Sequence, residues 1–358
     1  MLTSLVVPVR APIVNDMWTT YDDIDRELII LQEATRRLQS QRNMLSTACK
    51  LPVEILSMIF LCFADREPPR GPADFHGPRI KNWYGITHVC RKWREVALGC
   101  PTLWNRIDVT SPHWVPEMVL RSKQGTISLR AEVYDTPSKR PKVEACKSIL
   151  SDPARIRELH LAGDRSSLKQ LTSPLNGERV ASLRSLIIHS QHWRHDLDVF
   201  QLSESFISAG APHLEHLELG KCAIPWDAPL LLTSASLTTL IVHGVRRADC
   251  RPSAGQLLRV LSSMSALRHL FLEDTLPTSD EDPDLAEAPL RLEALRTLCL
   301  KGTFIECALF LPHLALSPSI SATFRCRDPR TMSEIVDFST SFAQARKNYE
   351  LGLASSTK

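Results

Sequence analysis

The sequence predicts an α+β repeat protein: an N-terminal helix and a small all-α module, then an irregular solenoid of β-turn-α units. Three observations carry that expectation. A Leu-x-x-Leu-x-Leu frame, with Ile or Val as substitutes, recurs six times between residues 156 and 300. From Asp22 to about Thr47 there is neither Gly nor Pro, and apolar residues recur at helical spacing. Between these regions, Val53 to Phe63 is apolar except for Glu54 and Ser57.

Bulk properties bound the function classes. At 358 residues the chain exceeds one average domain. A hydrophobic fraction of 43% supplies a core, and 43 basic against 40 acidic residues give a net charge of only +3. That near-balance offers no general attraction to nucleic acid or to a membrane surface, and neither partner is expected. None of the ten cysteines forms a Cys-x-x-Cys pair. Residues 1–14 lack a basic segment and are interrupted by Pro8, Arg10 and Pro12, unlike a secretory signal. Unpaired thiols without an export signal point to the cytoplasm or nucleus.

In chain order, residues 1–21 read as a tail. Over 22–48, Ile24, Leu31, Leu38 and Leu45 recur every seven residues, with Leu28 between them. Thr35 and Arg42 continue the Leu28 series and interrupt the stripe, while Arg26, Glu27, Glu33, Arg36 and Arg37 lie off it. The expectation is a helix lying across its own neighbouring domain; self-association through residues 22–48 as a coiled coil is the lesser alternative. Leu51-Pro52 opens a second helix, because proline suits the first helical position. A helix apolar nearly all round is covered on more than one side. Residues 66–79 are rich in Pro, Gly and charge and read as a loop. A third helix is expected from about Trp83 to Leu98, with Ile86, Val89, Cys90, Trp93, Val96 and Ala97 on its apolar face; Cys100-Pro101 ends it, and Leu103-Trp104 follow as an anchor.

The six frames begin at Ile156, Leu183, Leu214, Leu237, Leu267 and Leu295. The starts lie 23 to 31 residues apart, and a period in the twenties with this frame is the leucine-rich-repeat signature, here spanning residues 106–330. The following turn position reads Asp164, Gln191, Cys222, Val245, Thr275 and Thr303, never Asn, so the array is irregular. Extra strands are expected around Ile107 and Val109, around Ile127 and Leu129, and over Ser319 to Cys326. Helices are expected over Val143–Leu150, Phe200–Ser208 and Ser253–Met264. Residues 331–358 read as a helix, over Thr331–Tyr349, that covers the last repeat, followed by a tail; Ser279–Glu287 reads as a solvated acidic loop.

Residues between the framework leucines face away from the core, because strand side chains alternate. The middle outward column is His160, Ile187, Glu218, Ile241, Phe271 and Cys299. Its apolar members Ile187, Ile241, Phe271 and Cys299, with His216, His269 and His243 beside them, are the candidate contacts for a protein partner. A lateral packing surface is the alternative.

Residues 49–105 resemble an F-box. The residues that carry the resemblance are Leu51, Pro52, Glu54, Ile55, Leu56, Ile59 and Phe60, then Val89, Cys90 and Trp93, then Leu103 and Trp104. With the preceding helix and the Cys100-Pro-Thr-Leu-Trp104 stretch, the chain is similar to the large F-box-like families of mushroom-forming fungi. The resemblance implies a non-catalytic substrate receptor of a cullin–RING ubiquitin ligase. In that arrangement the F-box docks on a Skp-type adaptor, which joins it to the cullin, and the repeats hold a protein substrate. The implied adaptor contacts are Leu51, Pro52, Ile55, Leu56, Ile59, Val89, Cys90 and Trp93. A long 65–84 segment replaces the short interhelical turn of an ordinary F-box. The alternative function is a repeat scaffold that binds the adaptor without ubiquitin transfer.

Enzymatic signatures are absent: the sequence has no P-loop, Gly-x-Gly-x-x-Gly, His-Glu-x-x-His or Gly-x-Ser-x-Gly motif. His189, His192 and His195 have a spacing that gathers ligands only on a helix, whereas His189 ends a strand. No cofactor and no metal are therefore expected.

Overall fold

A computed structural model describes residues 20–65, 83–172, 175, 182–191, 199–202, 211–279, 288–327 and 331–356. The described residues divide into two compact units, one ending at Cys100 and the other beginning at Pro101. The first is helical; the second is mixed α/β and built on a parallel sheet.

Helix α1 spans Tyr21–Met44. The Thr20 hydroxyl caps it by accepting from the Asp23 N–H; Asp22 and Asp23 complement the positive end of the helix dipole, and Arg42 the negative end. No residue of α1 is buried, and Leu28, Leu31 and Leu38 remain about half exposed or more. The expectation that this stripe packs in cis on the neighbouring domain is therefore not met. The stripe is too broken by Thr35 and Arg42 to offer a continuous seam.

Helix α2 (Thr47–Lys50) is a single turn capped by Ser46, and it buries Cys49. Helix α3 (Val53–Asp65) starts after Pro52, whose carbonyl accepts from the Leu56 N–H. Leu56, Phe60 and Ala64 follow one another at steps of four along α3 and are buried. The third helix is broken. Residues Trp83–His88 form a tight 3-10 turn, and α4 covers only Arg91–Leu98. The Thr87 hydroxyl donates to the Tyr84 carbonyl at 2.7 Å, a local bond that competes with helix continuation. Extended Cys90 then restarts the chain as the N-cap of α4, its sulfur accepting from the Trp93 N–H. Phe60 and Trp93 meet at a centroid distance of 5.1 Å. The Lys92 ammonium donates to the carbonyls of Cys49 and Leu51, satisfying backbone acceptors at the end of α2.

The second unit opens with α5 (Pro101–Trp104), which buries Leu103 and Trp104. The Arg121 guanidinium, on α6 (Val115–Arg121), lies 4.3 Å from the Trp104 ring centre. Thirteen strands follow in chain order: β1 (Arg106–Asp108), β2 (Ile127–Val133), β3 (Ile156–Gly163), β4 (Ser185–Ser190), β5 (Phe200–Gln201), β6 (His216–Gly220), β7 (Cys222–Ala223), β8 (Thr239–His243), β9 (His269–Glu273), β10 (Leu290–Arg291), β11 (Thr297–Gly302), β12 (Leu314–Ala315) and β13 (Ser321–Cys326). Nine of them form one sheet in the order β1-β2-β3-β4-β6-β8-β9-β11-β13, and every neighbouring pair is parallel. Small parallel pairs, β5 with β7 and β10 with β12, flank it.

Parallel neighbours need crossover connections, and helices supply several of them. Helix α7 (Arg140–Leu150) links β2 to β3, and α8 (Arg165–Thr172) links β3 towards β4. Helices Ala254–Ser263 and Phe304–Phe310 do the same later, each opened by a reciprocal capping box. The helix expected over Phe200–Ser208 is not formed at its start, where Phe200–Gln201 pairs with β7; residues 203–208 lie outside the described residues.

All six frames share one register. Leu159, Leu186, Leu217, Leu240, Leu270 and Leu298 stand side by side, as do Leu161, Ile188, Leu219, Val242, Leu272 and Leu300, and all are buried. The C-terminal helix Met332–Ser356 packs on the Phe304–Phe310 helix and on β12, and its Phe338 and Phe342 rings each stand 5.2 Å from Phe324 of the edge strand β13.

Exposure of the α1 stripe has a direct consequence. Leu28→Ala combined with Leu31→Ala should lower unfolding stability in denaturant titration by less than about 1 kcal/mol, as for surface changes. A loss above about 2 kcal/mol, the scale of a buried leucine, would show the stripe to be covered.

Candidate functional site

Two surfaces gather the candidate residues. The first is the uncovered side of α3. Successive helical residues lie about 100° apart, so Ile55, Ile59 and Phe63 form a stripe beside the buried Leu56, Phe60 and Ala64. Ile55, Met58, Ile59 and Phe63 are between 42% and 60% exposed, and Val53 and Cys62 are also exposed. Just before α3, Pro52 is exposed and Leu51 is half-buried; Val89, just before α4, is also exposed. Leu56 does not belong to this surface: at 1% exposure it is core. Cys90 and Trp93 are half-buried and do structural tasks, Cys90 as the cap of α4 and Trp93 against Phe60. These neighbouring exposed apolar side chains make this side of α3 a candidate interaction surface.

The second surface is the sheet face carrying the residues between the framework leucines. Ile187, Ile241, Phe271 and Cys299 are half-buried there, while His269 is exposed and hydrogen-bonded to the Thr297 hydroxyl at 2.7 Å. The Lys301 ammonium sits 4.5 Å from the Phe271 ring centre and reaches Glu273 at 3.3 Å. The early part of this face departs from expectation. His160, His189 and Glu218 point away from the leucines yet are almost wholly buried. Strands about 4.8 Å apart crowd large side chains over one another, and the rings cover the carboxylate between them.

Their arrangement is specific. His189, Gly220 and His243 are direct cross-strand neighbours on β4, β6 and β8. A Cβ on Gly220 would come within 2.7 Å of the His243 ring and 2.8 Å of the His189 ring, so only glycine lets both imidazoles lean together. Their ring centres are 5.3 Å apart, edge to face, and His160 stands 5.9 Å from His189 on the other side. His189 Nε2 donates to Glu218 Oε1 at 3.0 Å, and half-buried His216 reaches Glu218 Oε2 at 3.4 Å. Burial raises the Glu218 carboxyl, but the hydrogen bonds from His189 and His216 outweigh it and hold the group near 2. Burial first, then nearby Arg130, pushes the His160 imidazole down to about 3; burial and His189 lower that of His243. Ligand atoms of His189, Glu218 and His243 all lie within 4.8 Å of one another, a spacing at which, among the described residues, these three could hold a metal ion.

Sequence inspection weighed His189 with His192 and His195, which lie outside the described residues. The informative signal ran across the frames instead: aligning them stacks His189, Gly220 and His243 in one column.

Compared with known families, residues 48–110 match the F-box-like family. The matched segment contains α3, α4 and the buried Leu103-Trp104 pair, and F-box-like domains are typically non-catalytic adaptor modules. No curated protein matches the chain.

The sheet face yields a test of register. Ile241→Asp with Phe271→Asp should leave the second unit folded, with the thermal transition and circular dichroism retained. Leu240→Asp with Leu270→Asp should abolish both, because two charges enter a closed core. Unfolding by the first pair would place Ile241 and Phe271 in the core.

Proposed function

We propose that the chain is a substrate receptor of a cullin–RING ubiquitin ligase. Its F-box-like segment docks on a Skp-type adaptor and through it on the cullin. Its parallel array is a leucine-rich-repeat-like solenoid whose non-leucine face holds the protein to be modified. The chain itself performs no chemistry in this scheme.

The observation that carries the proposal is the second apolar stripe of α3, inside the matched segment. Ile55, Ile59 and Phe63 stay uncovered although the same helix already supplies the core through Leu56, Phe60 and Ala64. Leaving that much apolar area in water forgoes about 25 cal/mol for each Å² that a partner would cover. On the sheet, half-exposed Ile187, Ile241 and Phe271 flanked by polar neighbours support a protein-binding face. All ten cysteines are free thiols, which supports residence in the reducing cytoplasm or nucleus.

The test uses the exposed positions. Ile55→Asp with Ile59→Asp should weaken binding of recombinant Skp-type adaptor by at least about a hundredfold, because docking then desolvates two unpaired charges. Helical signal and melting should stay near those of the parent. Leu56→Asp is unsuitable, since it would disrupt the core. Undiminished adaptor binding by the folded double variant would overturn the docking assignment. Complexes purified from cells should contain adaptor and cullin together; adaptor without cullin would instead favour a scaffold that transfers no ubiquitin.

A further inference from the structure

We propose that His189, Glu218 and His243 form a binding site for one divalent transition-metal ion, best suited to zinc, on the sheet face opposite the framework leucines. The three side chains come from three adjacent parallel strands, and their nearest ligand atoms all fall within 4.8 Å. Two imidazoles and one carboxylate are a ligand set that zinc accepts, with the fourth tetrahedral position left to water or another ligand. At zinc–ligand distances of about 2.0–2.1 Å, tetrahedral ligand atoms stand roughly 3.3 Å apart. Closing the present spacing to that value takes shifts on the order of 1 Å, within the reach of small χ rotations.

Two features separate this cluster from an ordinary polar ladder. A carboxylate bridged by imidazoles accounts for His189 and His216, which both reach Glu218. It does not account for His243: its Nε2 is buried and, among the described residues, has no hydrogen-bond partner. Buried polar atoms are rarely left so, and a bound cation supplies the missing interaction. The second feature is Gly220, which stands between the two histidines where any side chain would collide with both rings. His216, on the far oxygen of Glu218, would orient the carboxylate from outside the coordination sphere, as metal-binding carboxylates commonly require.

The chemistry is a ligand exchange with no redox step. The metal takes the place of the His189 Nε2 proton on Glu218, His189 switches to the tautomer with Nε2 free, and water leaves the ion.

The experiment uses the full chain, stripped with chelator and titrated with Zn²⁺ and, as a spectroscopic stand-in, Co²⁺. The expected result is uptake of one ion per chain and a raised melting temperature. Co²⁺ should give the visible bands of a four- or five-coordinate nitrogen–oxygen site without thiolate charge transfer. Glu218→Gln and His243→Gln should each weaken binding at least tenfold, while His192→Gln with His195→Gln should not. X-ray absorption on the zinc-loaded parent chain reads the ligands without any variant and should give imidazole and oxygen scattering. No uptake by the parent, a sulfur-dominated shell, or uptake unchanged in folded Glu218→Gln and His243→Gln would overturn the site.

Discussion

Side chains on a parallel strand alternate between two faces, and neighbouring strands in register put like positions side by side. That constraint organises the second unit. Two residues of each frame stack into continuous ladders, Leu159 to Leu298 and Leu161 to Leu300, and are removed from water together. Each fully buried leucine contributes about 1.5–3 kcal/mol relative to exposure, so one strand alone gains little and the stack gains much. Parallel order then demands crossover connections, several of which the connecting helices supply. The face left over is free of the core requirement, and it is where histidine, glutamate, phenylalanine and isoleucine accumulate.

The first unit obeys an analogous rule with a different outcome. Helix α3 is apolar on two adjacent stripes, but among the described residues the 3-10 turn and α4 cover only one of them. Leu56, Phe60 and Ala64 fold the unit; Ile55, Ile59 and Phe63 remain in solvent. The side chains that fold the unit and those left exposed thus stand one position apart on one helix. Matching of residues 48–110 to the F-box-like family gives that uncovered stripe a biological context.

Legibility followed periodicity. The strand ladders could be read in advance because the frames repeat with a period of two inside each strand, and the structure keeps that register. Residues 55 and 56 could not be assigned the same way: both are apolar, and no local pattern states which one a small domain buries. The continuous helix expected over residues 83–98 failed at Cys90, where a hydroxyl-closed turn at Thr87 and a thiol cap outcompete helix propagation. The α1 stripe was legible as a helix but not as a packing surface, since burial depends on a neighbour that the stripe does not encode. His160 and Glu218 were placed on the correct face yet expected to be open; their burial arises from cross-strand crowding with His189 beside Gly220, a relation visible only when the frames are aligned column by column.

We propose that α3 presents a surface for a Skp-type adaptor and that the sheet face is not used for it. Hydrogen–deuterium exchange on the full chain, with and without a recombinant Skp-type adaptor, tests this most directly. The account predicts slowed exchange over α3 and its neighbour α4 on adding adaptor, with residues 127–326 unchanged. Protection confined to the sheet strands, or none in α3 at saturating adaptor, would contradict it.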